Sequence, residues 1–181
     1  PAYPAKVADS ETMVNGNQVD CLVLQSGEPN AFVGIINRYV DAGIPVFTQN
    51  GDVVDSKRFA YFALNEVDAG KANAKATVAV MKELGIKMVQ IAMGCGNPTA
   101  PWAQGRLSGF EAGIKEALPG ANFFNGPKNA LPTGADYTVD EVVNSVGPFL
   151  LANPSVNLFF HTDQGVEGVG QVIRSSKRTG K

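Results

Sequence analysis

The sequence predicts an α/β protein built from two Rossmann-like lobes, each a parallel sheet flanked by helices. Five times a short apolar run ends in small and polar residues and then opens a helix. The five are Leu22-Val23-Leu24-Gln25-Ser26-Gly27, Pro45-Val46-Phe47-Thr48-Gln49-Asn50, Met88-Val89-Gln90-Ile91-Ala92-Met93-Gly94, Phe123-Phe124-Asn125-Gly126 and Leu158-Phe159-Phe160-His161-Thr162-Asp163. Strands that alternate strictly with helices need crossover connections, so they pair in parallel with helices on both faces. The second observation is bulk composition. With 181 residues, 44% hydrophobic and 18% charged, the chain can bury a sizeable core and does not have the makeup of a disordered one.

The elements follow in order. Residues 4–14 have helical spacing and stop at Asn15-Gly16, a common helix end. Residues 21–25 read as a buried strand with Cys21 at its buried start. Residues 30–41 form a helix whose apolar side carries Phe32, Val33, Ile35, Ile36, Tyr39 and Val40, closed by Gly43. Pro45 opens the next strand, 45–49, where its missing N–H is tolerated. Residues 59–64 are apolar and aromatic enough for a third strand. An Ala-rich helix over 68–84 ends at Gly85, followed by a strand at 87–92, a helix at 101–118 and a strand at 121–125. A helix at 138–152, bent near Gly147-Pro148, a strand at 157–162 and a helix at 165–176 complete the chain. The boundary between lobes is expected at residues 65–68, giving domains over 1–65 and 66–181. No short-period repeat is present.

Several function classes are disfavoured. A net charge of −2 gives no electrostatic reason to expect nucleic acid. The basic cluster Arg174-Ser175-Ser176-Lys177-Arg178, with Lys181, suits a solvated helix end. No apolar run approaches the ~20 residues that span a bilayer. The chain begins at Pro1 without a secretory signal, which leaves its destination open. One histidine, His161, and two cysteines, Cys21 and Cys95, lack metal-ligand spacing, so no metal and two free thiols are expected. Gly94-Cys95-Gly96-Asn97-Pro98-Thr99 follows a strand like a dinucleotide fingerprint. However, Thr99 replaces the third glycine, prolines crowd the helix start, and the next strand ends at Asn125-Gly126 without a carboxylate for a ribose. A flexible rim loop and no cofactor are expected there. Neither a phosphate loop nor a Gly-x-Ser-x-Gly elbow exists, and Asp52 and Asp163, though conceivable as a carboxylate pair, equally suit hydroxyl recognition. No enzyme is expected.

A polar rim with aromatic interruptions does assemble: Gln25, Asn50, Asp52, Asn65, Trp102, Arg106, Tyr137 and Asp163. Ligands of open parallel sheets bind at the carboxyl ends of the strands. Carboxamides, carboxylates and a planar guanidinium match sugar hydroxyls, and Trp or Tyr stacks on the apolar ring face. Each residue also has a structural reading. Gln25 and Asn50 would cap strand ends, Trp102 and Tyr137 would be core aromatics, and Arg106 would pair with Glu111 or a helix end. Taken as a set on one rim, recognition is the better reading. Replacing Arg106 by Ala is then expected to weaken ligand binding by ~2–4 kcal/mol with little loss of folding stability.

Three stretches carry a family resemblance: Ala42-Gly43-Ile44-Pro45-Val46-Phe47-Thr48, Phe62-Ala63-Leu64-Asn65-Glu66-Val67-Asp68-Ala69-Gly70, and Arg106-Leu107-Ser108-Gly109-Phe110-Glu111. A fourth, Asn153-Pro154-Ser155-Val156-Asn157, precedes a strand and Asp163-Gln164. Together the chain resembles type 1 periplasmic sugar-binding proteins, the ribose- and galactose-binding group, over essentially its whole length. The resemblance implies a bacterial periplasmic protein that clamps a carbohydrate-like molecule between two lobes and delivers it to a membrane ABC transporter permease, without chemistry. It puts Arg106 on the family's ligand-binding arginine and Asn50 where many members have an aspartate. Asn65 falls on an aspartate at the crossing between lobes, Gln25 on a position usually Asn, Tyr137 on a second-lobe aromatic, and Asp163 on a ligand-binding Asn. Asn50, Asn65 and Gly51 replace charged residues of ribose binders, which points away from ribose. The family also has a strand–helix–strand unit before the point where this chain starts and further strands after its end. The remainder of a longer protein, or a completing chain, is therefore expected as a partner. The alternative is the effector-sensing domain of a lactose-repressor-type transcription regulator, which shares the fold; the acidic balance leans against it.

Overall fold

The computed structural model describes residues 2–16, 19–26, 29–86 and 89–177. Gly27 and Met88 in two rim segments, Lys87 at the expected strand start, and residues 178–181 of the basic cluster lie outside these. The chain divides into two compact units, Pro1–Leu64 and Asn65–Lys181.

The first unit contains α1 (Ala2–Asn15), β1 (Leu22–Leu24), α2 (Pro29–Asp41), β2 (Val46–Gln49) and β3 (Ala60–Phe62). The strands form a parallel sheet in the order β1-β2-β3, with Leu24 opposite Thr48 and Gln49 opposite Phe62. The helical spacing of Phe32, Ile35, Ile36 and Tyr39 puts all four on one side of α2, where they bury against Leu22, Leu24, Val46 and Val53. Among the described residues no helix covers the other face of this sheet. Val23, Phe59 and Phe62 remain 58%, 77% and 60% exposed, and Phe47 contacts both phenylalanines across the uncovered side. Strand alternation also corrects the placement of Cys21. Leu22 and Leu24 point inward, so Cys21, Val23 and Gln25 point out, and Cys21 is exposed.

The second unit contains α3 (Glu66–Glu83), β4 (Gln90–Cys95), α4 (Pro101–Ala117), β5 (Asn122–Phe123), a 3-10 turn (Pro127–Asn129), β6 (Leu131–Pro132), α5 (Val139–Ala152), β7 (Leu158–His161) and α6 (Glu167–Ser175). Strand β4 is central. Strand β7 pairs with its Ile91–Gly94 stretch, while β5 meets Gln90 and Ile91 and β6 meets Gly94 and Cys95, all in parallel. Because Ile91 and Gly94 each pair with β7 as well, β5 and β6 share the opposite edge of β4. Here helices do cover both faces. Ile91, Met93 and Cys95 pack with α3 and α4, whereas Ala92 packs with α5 and α6. Phe160 stacks on Phe110 of α4 with ring centroids 3.7 Å apart, and Phe159, its neighbour on β7, faces the other layer. Helix α5 continues through Pro148, and Thr138 and Glu141 cap its start reciprocally.

Of the strand expected at 121–125 only Asn122–Phe123 forms, as β5, and β6 at Leu131–Pro132 was not expected. Asn125 explains the break. Its side chain takes the place of a strand residue, accepting from Met93 N–H at 2.7 Å and donating to Met93 C=O at 2.9 Å. Backbone pairing thus continues across a gap that the main chain leaves open.

Helices α3 and α4 run parallel and unusually close. A Cβ added to Gly109 would lie 2.1 Å from the Val67 carbonyl oxygen, and one added to Gly70 would lie 2.2 Å from that of Arg106. Only glycine permits this approach.

Burial pushes the Cys95 thiol up to about 12, and Asp163 adds to the effect, so Cys95 holds no thiolate at neutral pH. A disulfide-exchange reagent is expected to label Cys21 alone in the native protein and both cysteines after denaturation. Rapid labelling of both in the native state would contradict the packing of β4.

Candidate binding site

In the first unit, strand pairing places Gln25 beside Gln49 and Asn50 at the carboxyl end of the sheet. Both Gln25 and Asn50 are exposed. Asn50 has φ +58°, a left-handed conformation that asparagine tolerates better than most residues, and its N–H donates to Phe62 C=O at 3.1 Å. The loop behind it is tight, since a Cβ on Gly51 would fall 1.6 Å from the Ser26 carbonyl oxygen. Asp52 is committed internally. Arg58 grips it with Nε on Oδ1 and with Nη2 on Oδ2 at 2.7 Å, while the Thr48 hydroxyl and Val53 N–H donate to Oδ1 at 3.0 and 2.8 Å. The Arg58 guanidinium holds its carboxyl below the ordinary carboxylate value, helped by Thr48 and Val53 and opposed by burial. Ser26, absent from the expected set, is 3% exposed, and its hydroxyl has no partner among the described residues.

In the second unit, four of the expected residues converge. Trp102 and Arg106 sit in the first turns of α4, Asp163 follows β7, and Tyr137 follows β6. The guanidinium carbon of Arg106 lies 5.2 Å from the centre of the Trp102 ring, and the Trp102 and Tyr137 rings are 6.3 Å apart. Arg106 Nη1 donates to Thr162 C=O at 3.0 Å. The Thr162 hydroxyl in turn donates to Asp163 Oδ1 at 2.7 Å, and Asp163 Oδ2 accepts from Gly96 N–H at 2.5 Å. Gly96 is required because a Cβ there would meet the Tyr137 ring at 2.5 Å. The loop after β4 is therefore tied down rather than flexible, and Asn97 braces it further by accepting from Thr99 N–H and hydroxyl. Tyr137 has φ +58°, a costly conformation for a bulky side chain, of the kind found where a site constrains the backbone.

Arg106 does not pair with Glu111, which takes Lys115 instead; its partner is Glu66, at 2.6 Å (Nε to Oε2) and 3.2 Å (Nη2 to Oε1). Asn65 caps α3, its side-chain oxygen accepting from Asp68 N–H at 3.2 Å. Beside the cluster, His161 Nε2 lies 2.9 Å from the Thr133 hydroxyl, and Nδ1 accepts from Asp163 N–H at 3.2 Å. Burial holds the imidazole below its ordinary value against the pull of Asp163, so it is neutral at pH 7 and serves to fix the β7 terminus. Among the described residues no cluster of His, Cys, Asp and Glu could hold a metal ion, and no helix is long and apolar enough to cross a membrane.

The arrangement offers hydrogen-bond donors, acceptors and two aromatic faces. A family model described as "Periplasmic binding protein domain" matches residues 2–181. The chain belongs to this family. Among solved structures, this periplasmic binding protein domain is similar to a solute-binding protein of an ABC transporter from Burkholderia graminis in complex with D-arabinose. The TM-score is 0.78 at 22% identity, covering 97% of this chain and 58% of that one. It is similar also to GanP, a glucose-galactose binding protein from Geobacillus stearothermophilus (TM-score 0.76, 24% identity, 95% and 57% covered). A third is a periplasmic solute-binding protein from Actinobacillus succinogenes with bound D-allose (0.78, 21% identity, 97% and 60%). The chain thus spans about 58% of the length of the first of these structures. No curated protein matches the sequence. At these identities the neighbours establish the fold of the domain, parallel α/β units of the type 1 class.

Proposed function

We propose that this periplasmic binding protein domain captures a sugar or sugar-like molecule for an ABC transporter, outside the cytoplasmic membrane and without chemical conversion. The observation that carries the reading is the second-unit cluster, where Trp102 and Tyr137 supply ring faces beside the hydrogen-bonding Arg106 and Asp163. Gln25 and Asn50 of the first unit are proposed as further ligand contacts. Asp52 and Asn65, whose oxygens already serve Arg58 and α3, are proposed to act by shaping the loops they tie. The two units are read as portions of the two lobes of such a protein, and a membrane permease is the proposed partner. Neighbours whose names describe sugar-binding transport proteins favour this reading over a transcription regulator.

A thermal-shift and calorimetric panel of neutral pentoses and hexoses, including D-arabinose, D-allose, D-glucose and D-galactose, tests it. A true ligand at about 100 times its Kd adds about 2.7 kcal/mol of stability, which raises Tm by about 5 °C or more. A panel in which no sugar shifts the transition or releases heat would refute the reading.

A further inference from the structure

Glu66 has no role in the reading above, and the following inference rests on that reading. Its carboxylate lies along the Nε/Nη2 edge of Arg106 at 2.6 and 3.2 Å, brought there because Gly105 lacks a side chain: a Cβ on Gly105 would fall 2.7 Å from that of Glu66. Glu66 is only 12% exposed at its side chain and Arg106 29%. With Nη1 held by the Thr162 carbonyl, three of the five N–H donors of a guanidinium are engaged, leaving one on each terminal nitrogen.

An unpaired arginine selects carboxylates and phosphates, because two parallel N–H bonds and a full charge favour a planar anion. Here one edge is already taken by a carboxylate. A second carboxylate, Asp163, is linked to the same Thr162 that holds Nη1. An anionic ligand would therefore bring a second negative charge to a guanidinium that Glu66 already pairs. We propose that Glu66 is a positioning residue that decides ligand charge: it holds Arg106 against Trp102 and converts it from an anion receptor into a donor of two hydrogen bonds to uncharged oxygens.

Calorimetry on the wild type, E66Q and E66D tests this with paired probes, D-galactose against D-galacturonate and D-glucose against D-glucuronate. The wild type is expected to bind the neutral member at least about ten-fold more tightly than the acid. E66Q should weaken the neutral sugar and narrow that gap about ten-fold, and E66D, which keeps the charge, should restore it. The Arg106 Nε–H proton, followed by NMR without ligand, should exchange slowly in the wild type and E66D and fast in E66Q. If neutral sugars bind, R106A weakens that binding, and E66Q discriminates as the wild type does, the role of Glu66 is overturned while the site stands. If no sugar binds the wild type, the site reading falls and the proposal with it.

Discussion

Replacing Arg106 by Ala is expected to weaken binding of the sugar selected by the panel by about 2–4 kcal/mol, roughly 30- to several-hundred-fold in Kd. The bonds from Nη1 and Nη2 to the ligand would be lost, and Trp102 would lose the cation beside its ring. The structure alters the second half of the expectation from sequence. Glu66 would be left without the guanidinium that neutralises it, and the Thr162 carbonyl without its donor. A partly buried carboxylate stripped of its partner costs folding stability, here about 1–3 kcal/mol after allowance for the 29% exposure of Arg106. Calorimetry and thermal denaturation of the same variant separate the two effects. Unchanged affinity would remove Arg106 from the site, and an unchanged Tm would mean that the Glu66 pair contributes nothing to folding.

Replacing Gly109 by Ala is expected to give the largest loss of stability, about 2–4 kcal/mol, because the clash is with backbone rather than with a movable side chain. The new Cβ would fall 2.1 Å from the Val67 carbonyl oxygen and 2.8 Å from its carbonyl carbon. Helices α3 and α4 must then separate by about 1 Å or more to restore van der Waals contact. Since α3 carries Glu66 and α4 carries Arg106, the same displacement stretches their ion pair, and ligand binding should weaken although residue 109 touches no ligand. Thermal unfolding should show a Tm lower by about 4–16 °C for a chain of this size. A Tm within about 2 °C of the wild type would mean that the helices are not as close as described.

The parallel α/β layers were legible because strand–helix alternation is written locally. Each apolar run, its polar terminus and the helix after it lie within a few tens of residues. The convergence of Trp102, Arg106, Tyr137 and Asp163 was legible for the same reason, as each follows a strand or opens a helix at the carboxyl rim. What was not legible depends on side chains meeting across long separations. Glu66 lies 40 residues before Arg106, and nothing local marks one as the other's partner. The early end of β5 and the separate β6 beyond it turn on Asn125 reaching back 32 residues to Met93. The exposure of Cys21 was a parity error, since moving one place along a strand exchanges its inner and outer faces. Strand–helix alternation predicts helices without saying which side each will cover, so it did not show that α1 and α2 would leave one face of the first sheet open among the described residues.

The amide of Asn125 has a consequence for how the protein ages. Asparagine followed by glycine is chemically fragile, because the next backbone nitrogen attacks the side-chain carbonyl and expels ammonia. In the folded chain the Gly126 nitrogen is engaged with Asn129 Oδ1 at 2.7 Å, and the Asn125 carboxamide is clamped to Met93. Attacker and target are both restrained until the second sheet opens. Each opening releases them together, and the aspartate that results has no N–H to return to the Met93 carbonyl. Of the three Asn-Gly pairs in the sequence, Asn125-Gly126 is therefore expected to deamidate only when the second unit opens, and the product to weaken the unit that had protected it.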